Sequence, residues 1–179
     1  NGDRLKAARV YRGLTVAELA QEMGAQRQTV SMYENDKLKN PEYSTIKRMS
    51  NILKFPVDFF LEANTPDVKT GSTYFRSLLT TNKKYRNQQT QKMDFISVIY
   101  FLLKGYIEFP ALNLPEIQAG WSPEVAAAAL RQHWRLGEKP IENIIYLVEH
   151  NGILVTRFET ETTDVDAFSQ ELTIDGNQL

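Results

Sequence analysis

The chain contains no cysteine, so disulfides and thiolate metal ligands are excluded from whatever it does. That composition fits a reducing, cytoplasmic setting. Histidine is almost as scarce, with only His133 and His150 among 179 residues. Long apolar runs are missing too. The longest, residues 95–103 with Ser97 inside it, is far short of the roughly 20 residues needed to cross a bilayer, so no membrane role is expected. The first residues, NGDRLKAAR, are polar and already amphipathic, which is not the pattern of a signal peptide. Net charge is nearly absent at −1, yet it is unevenly divided. Residues 1–65 carry 10 Lys/Arg against 8 Asp/Glu, residues 66–110 carry 7 against 3, and residues 111–179 carry 4 against 11. The first two thirds are basic and the last third is acidic, an asymmetry that points to different partners.

What is present is organised around residues 14–41, LTVAELAQEMGAQRQTVSMYENDKLKNP. Thr15 and Glu18 have the spacing of a capping box, with Leu14 placed to staple onto Leu19. Leu19, Ala20 and Met23 then form one apolar face, and Gly24 supplies a left-handed stop. A second short helix over residues 26–35 turns Val30 and Tyr33 inward. Arg27, Gln28, Thr29, Ser31 and Met32 are left largely outside. Arg can pair bidentately with guanine and Gln with adenine in a major groove. Two helices and a tight turn, with polar groups at the start of the second, have the order of a helix-turn-helix. The spacing alone is equally compatible with a surface helix of a small bundle, because glycine-containing αα-turns are common.

Around this pair, residues 3–12 read as a first helix with Leu5, Ala8 and Val10 inward and Gly13 as its stop. Lys37 and Lys39 lie in a loop ended by Pro41, placed to reach phosphate. Ser44 is the expected cap of a fourth helix, with Ile46, Met49, Ile52 and Leu53 on its buried face. Residues 57–62 form a fifth helix, whose Phe59, Phe60 and Leu61 close the core.

These residues resemble the XRE, or lambda-repressor-like, DNA-binding domain over residues 3–62. The resemblance rests on RLKAARVYRGLTVAELAQEMG, QTVSMYEND, a following proline and STIKRMSNILKFPVDFFL. It implies that residues 26–31 begin a recognition helix, that Thr15 and Gln26 lie near phosphates, and that Arg9 pairs with Glu34 inside the fold. Together with exposure, it marks Thr15, Gln26, Arg27, Gln28, Thr29, Ser31, Met32, Asn35, Lys37 and Lys39 as the DNA-contacting set. Val16 stands where many relatives carry a phosphate-contacting Gln, and Glu42 where some carry a basic residue.

Residues 64–73 have Pro, Gly and small polar residues without apolar period, and read as a linker between a domain over 1–63 and a region over 74–179. The basic polar patch KKYRNQQTQK at 83–92, able to extend a DNA footprint or to form a solvated face, precedes an apolar helix over 93–109. That helix is apolar on more than one face and is expected to be buried centrally. Ser122-Pro123-Glu124 is a helix start, and the helix following it stops at Gly137. A further helix over 141–150 ends at Asn151-Gly152. Strands are expected from Ile153, Val155 and Phe158 and from FSQELTI, with a hairpin turn at Asp175-Gly176. The returning strand has only residues 177–179, so the chain reads as ending inside a domain. The expected fold is therefore mainly α: five helices in a lambda-repressor-like domain, then a helical region ending in a short incomplete β-segment.

Residues 74–170 resemble the region leading into an ImmA/IrrE-type metallopeptidase domain. The resemblance is carried by YFRSLLTTNKKYRNQQ, SPEVAAAALRQHWRLGEKPIENIIYLVEHNGILVTRF and DAFSQ. The zinc motif of that family, H-E-x-x-H, does not occur. With His133 and His150 in separate helices, no catalytic residue, metal site or cofactor is expected. Three functions compete: a dimeric DNA-binding repressor on a palindromic operator of a mobile element or stress operon, the N-terminal part of a zinc-dependent repressor-cleaving peptidase or antirepressor, and a toxin-antitoxin-type module whose acidic last third docks a protein.

Overall fold

The computed structural model describes residues 1–62, 69–75, 82–158, 167–174 and 177–178. The fold is mainly helical with one small antiparallel sheet. Five helices come first: α1 (Gly2–Tyr11), α2 (Val16–Glu22), α3 (Arg27–Glu34), α4 (Tyr43–Leu53) and α5 (Val57–Leu61). Their core joins Leu5 and Ala8 of α1, Leu19 and Ala20 of α2, Met23, Val30 of α3, Ile46, Met49 and Leu53 of α4, and Phe60 of α5. Val10 is only half-buried. Leu61, expected in this core, is 57% exposed, because α5 ends at that residue and turns Phe60 inward instead.

Local chemistry sets the helix ends. At α2 the capping box is complete: Glu18 N–H donates to Thr15 Oγ1 at 3.1 Å, and Thr15 N–H donates to Glu18 Oε2 at 2.5 Å. α4 starts one residue before Ser44, with Glu42 at the cap position; the Ser44 hydroxyl donates to the Glu42 carboxylate instead of capping. Its C-terminus is closed by Arg12, whose Nε donates to Leu53 O at 2.5 Å and Nη2 to Lys54 O at 3.1 Å. A cation on the last carbonyls of a helix is favoured by the helix dipole.

One charge pair holds α1 to α3. Arg9 and Glu34 are both buried, and Arg9 donates from Nε to Glu34 Oε1 at 2.5 Å and from Nη2 to Oε2 at 2.8 Å. The remaining guanidinium nitrogen, Nη1, donates to Leu14 O at 2.7 Å.

Beyond these five, α6 (Lys83–Lys104) is a single 22-residue helix. The polar stretch 83–92 is thus helical too, whereas residues 105–109, expected to end the apolar helix, lie beyond its C-terminus. Asn82 caps it, accepting from Lys84 N–H at 2.9 Å. α6 packs on α1: Gln88 Nε2 donates to Tyr11 O at 3.1 Å, and Lys84 Nζ donates to Glu18 Oε1 at 3.0 Å and Oε2 at 3.2 Å. Phe95 completes an aromatic cluster with Tyr11, Phe55 and Phe59, with ring centroids 5.4 to 5.8 Å away. Gly13, with φ +66°, lets the chain turn under Gln88; a Cβ there would stand 2.9 Å from Gln88 Nε2. The far half of α6 departs from central burial. Ile99, Leu102 and Leu103 are exposed, and Tyr106 just beyond is 91% exposed.

Residues 69–73, within the stretch read as a linker, belong to β1 (Lys69–Phe75). β1 pairs antiparallel with β2 (Phe168–Ile174), matching Thr73 to Gln170, Tyr74 to Ser169 and Phe75 to Phe168. β2 in turn pairs with β3 (Asn177–Gln178). The expected turn at Asp175-Gly176 lies outside the described residues. Residues 153–158, expected as a strand, form none. The edge of β2 they could have used is taken by β1, a partner 97 residues away at Tyr74 and Glu171, which no local pattern announces.

α7 (Pro123–His133) begins as expected, with Ser122 Oγ accepting from Val125 N–H, but stops short of Gly137. Arg131 reaches across to the carbonyls of Gly137 and Lys139 at 2.6 to 3.0 Å and holds the loop that follows. α8 (Ile144–His150) starts at its Asn143 cap, three residues later than expected. Asn113 joins the ends of both helices. Its Nδ2 donates to Asn151 Oδ1 at 2.7 Å, its Oδ1 accepts from His133 Nε2 at 2.7 Å, and its backbone carbonyl accepts from Trp134 Nε1 at 2.7 Å.

Two measurements check this packing. Glu34→Ala strands the buried Arg9 cation and should lower the unfolding free energy by about 3–5 kcal/mol in a urea titration. An unchanged midpoint would show that the pair is not needed. The Glu18 carboxyl is held down to about 2 from the ordinary 4.5, first by the Thr15 N–H, then by the Lys84 ammonium and the Thr15 hydroxyl. Because the folded value is depressed, this contribution to stability is complete above about pH 4.5 and is lost as pH falls through about 2. A carbon-13 NMR titration should place the Glu18 midpoint near 2, and Lys84→Ala should raise it while leaving it below 4.5. A midpoint of 4.5 in the intact protein would contradict the capping geometry.

Candidate nucleic-acid interface

α2 is closed by Met23 N–H donating to Leu19 O at 2.9 Å, Gly24 N–H to Gln21 O at 3.0 Å and Ala25 N–H to Ala20 O at 2.9 Å. Gly24 takes φ +56°, the left-handed value that lets the chain reverse within a few residues. Gln26 then stands at the cap of α3 in extended conformation, and its side chain makes no capping hydrogen bond. The first turn of α3 carries no acid. Its N-terminal N–H groups therefore face outward with the positive end of the helix dipole, an arrangement suited to an anion.

The rotation of α3 is set from behind. Val30 is fully buried and Glu34, the only acid of the helix, is consumed by Arg9. Gly2 lets α1 approach the end of α3 closely, since a Cβ there would lie 2.4 Å from Tyr33 O. Its N–H donates to Asp36 Oδ1 at 3.0 Å. With the acid withdrawn, Arg27 supplies the charge of the outward face.

The residues singled out from sequence fall into three groups. Gln26, Arg27 and Gln28 are exposed at the start of α3, and Thr15, Lys37 and Lys39 are exposed around it. Thr29, Ser31 and Met32 are half-buried rather than outside, since a helix packed along Val30, Tyr33 and Glu34 partly covers the neighbouring positions. Asn35 is exposed, but its Nδ2 is turned back onto Ser31 O at 2.6 Å. Thr15 Oγ1 accepts from Glu18 N–H, and the hydroxyl also helps hold the Glu18 carboxylate ionised. Of the two departures, Val16 is half-buried and Glu42 is exposed.

The basic cluster of α6 does not act as one face. Lys84 is paired with Glu18 and Lys92 is buried with its ammonium 5.5 Å from the Phe158 ring, while Lys83 is exposed. The positioning role of Arg12 was not read from sequence. An arginine next to the helix-ending Gly13 is the local sign of it, but its target, the end of α4, lies 41 residues away. Among the described residues no three side chains of His, Cys, Asp or Glu gather as a metal site, and no helix is long and apolar enough to cross a membrane.

Two solved structures are similar. A crystal structure of SinR, the master regulator for biofilm formation, in complex with DNA is 28% identical, covers 34% of this chain and 97% of its own, and has a TM-score of 0.33. A SinR/SinI protein complex is 18% identical, covers 58% of this chain and 95% of its own, and also has a TM-score of 0.33. The family comparison is confined to the N-terminal third and does not reach residues 74–170, where the metallopeptidase resemblance was read. Residues 5–60 match the family described as Helix-turn-helix, and with α2 and α3 set as above the first five helices are a helix-turn-helix domain.

Proposed function

We propose that this protein is a sequence-specific DNA-binding transcriptional regulator, a repressor that places α3 in the major groove of a palindromic operator as a homodimer. The observation that carries this reading is the division of α3. Val30 and Glu34 are locked behind, and Gln26, Arg27 and Gln28 are presented in front at an uncapped helix start. Arg27 and Gln28 are the base readers, with Gln26, Thr15, Lys37 and Lys39 set around them for the phosphates. A net of +2 on the first 65 residues is modest, so base contacts and dimerisation supply much of the affinity. This role belongs in the cytoplasm and includes no catalytic step.

One α3 covers too few base pairs for a useful operator, and two-fold symmetry sets half-sites about 34–36 Å apart or a multiple of that. The exposed apolar row at the end of α6, Ile99, Leu102, Leu103 and Tyr106, is the surface for the second copy. The first five helices use their own apolar faces internally.

In mobility-shift assays against an operator selected from randomised duplexes, Arg27→Ala and Gln28→Ala should each lose about 1–3 kcal/mol of discrimination at particular base pairs. Lys37→Ala should weaken operator and random DNA alike and flatten the salt dependence. Equal losses on both DNAs for Arg27→Ala would remove its base-reading role. Leu102→Glu should convert the protein to a monomer in sedimentation and reduce operator affinity while leaving the melting temperature intact. A dimer that persists in this variant would place the interface elsewhere.

A further inference from the structure

Between α6, the segment around residues 109–114, α8, residues 153–158 and the β1–β2 pair lies a cavity of about 1150 Å³. Its walls are chiefly apolar, including Met93, Tyr100, Leu112 and Leu154. Two amides interrupt them. Gln89 of α6 is 1% exposed, and its Nε2 has no hydrogen-bond partner among the described residues. Gln170 of β2 has both Nε2 and Oε1 buried and without a partner among the described residues. Both residues line the cavity.

Leaving a buried donor or acceptor unmade costs about 1–3 kcal/mol, so folded chains satisfy nearly all of them. Here three such atoms, from two elements 81 residues apart in sequence, line one apolar space. A space of this size is near the upper range of small-molecule sites, which are apolar with a few placed polar groups. Of the charged residues that border it, Glu149 and Arg157 are exposed to solvent, and the half-buried Glu171 is engaged by Tyr74, whose hydroxyl donates to Glu171 Oε1 at 3.4 Å. We infer that this cavity is a binding site for a neutral, mainly apolar small molecule bearing a carbonyl or amide. Its oxygen accepts from Gln89 Nε2, and Gln170 offers both a donor and an acceptor to the rest of the polar group. The inference stands on the cavity and does not depend on DNA binding.

The probe for this chemistry is Nile red, a neutral apolar dye with a ring carbonyl. Titrated into the intact chain, it should bind at one saturable site with blue-shifted emission. Leu112→Trp and Leu154→Trp, which enlarge two lining side chains, should each weaken binding at least about tenfold, and the exposure of Leu154 guards against a variant that fails to fold. Gln89→Leu should weaken it about threefold while holding or raising the melting temperature, since it removes an unpartnered amide. Leu61→Ala, on an exposed apolar residue of α5, should change nothing. Absent or non-saturable binding, or equal binding by both tryptophan variants, would overturn the site. Dye binding that falls as protein concentration rises and dimers form would assign the cavity to a second copy and overturn the small-molecule reading.

Discussion

The N-terminal domain depends on the buried pair of Arg9 and Glu34. Two opposite charges removed from water lose several kcal/mol of solvation each, and their attraction offsets this only with good geometry and no leftover donors. That condition is met. The guanidinium gives two parallel hydrogen bonds to the carboxylate, and its remaining side goes to the carbonyl of Leu14 at the mouth of α2. The pair thus ties three helices at one point. A leucine and a methionine in its place could pack as well, but they would tolerate rotation of α3. A bidentate pair tolerates little, and the outward direction of Arg27 and Gln28 follows from it.

The same economy of polar contacts appears where α6 meets this domain. Gln88 and Lys84 look like solvent residues, yet one is held by the Tyr11 carbonyl and the other by Glu18, whose carboxylate is already engaged at the start of α2. Phe95, about two turns beyond Gln88, adds its ring to Tyr11, Phe55 and Phe59. Successive turns of one rigid helix therefore touch the helix-turn-helix domain on one side and, through Gln89, Met93 and Tyr100, line the cavity on the other. The burial of Tyr100 raises its phenol above the ordinary value, and the ring lies tilted against Phe109, with centroids 4.4 Å apart.

The acidic last third is organised differently. No residue of α7 or α8 is buried, and their mutual placement comes from hydrogen bonds instead of an apolar core. Asn113 donates both its backbone N–H and its Nδ2 to Asn151, and Gly152, at φ +83°, admits the backbone of Ala111 where a Cβ would lie 2.5 Å from it. The two histidines serve in this scaffold. His133 bonds Asn113, and His150 stacks on Tyr146 at 5.8 Å.

How much of this was legible follows the range of each interaction. The capping box at Thr15, the glycine stop at Gly24, the helix start at Ser122 and the inward Val30 are local patterns of a few residues, and the chain alone determines them. The mainly helical class and the five N-terminal helices follow for the same reason. Tertiary structure alone decided that the polar run 83–92 is the docking half of a helix. Gln88 and Lys84 of this run bond Tyr11 and Glu18, more than 60 residues away. It also decided that β1 takes residues read as linker and leaves 153–158 unpaired, because a strand needs a partner edge and that edge comes from the other end of the chain. The cavity was equally invisible, since a glutamine in sequence does not show whether its amide will find a partner. Periodicity records which face of an element is apolar; it holds no record of which distant element arrives to cover it or to bond its polar groups.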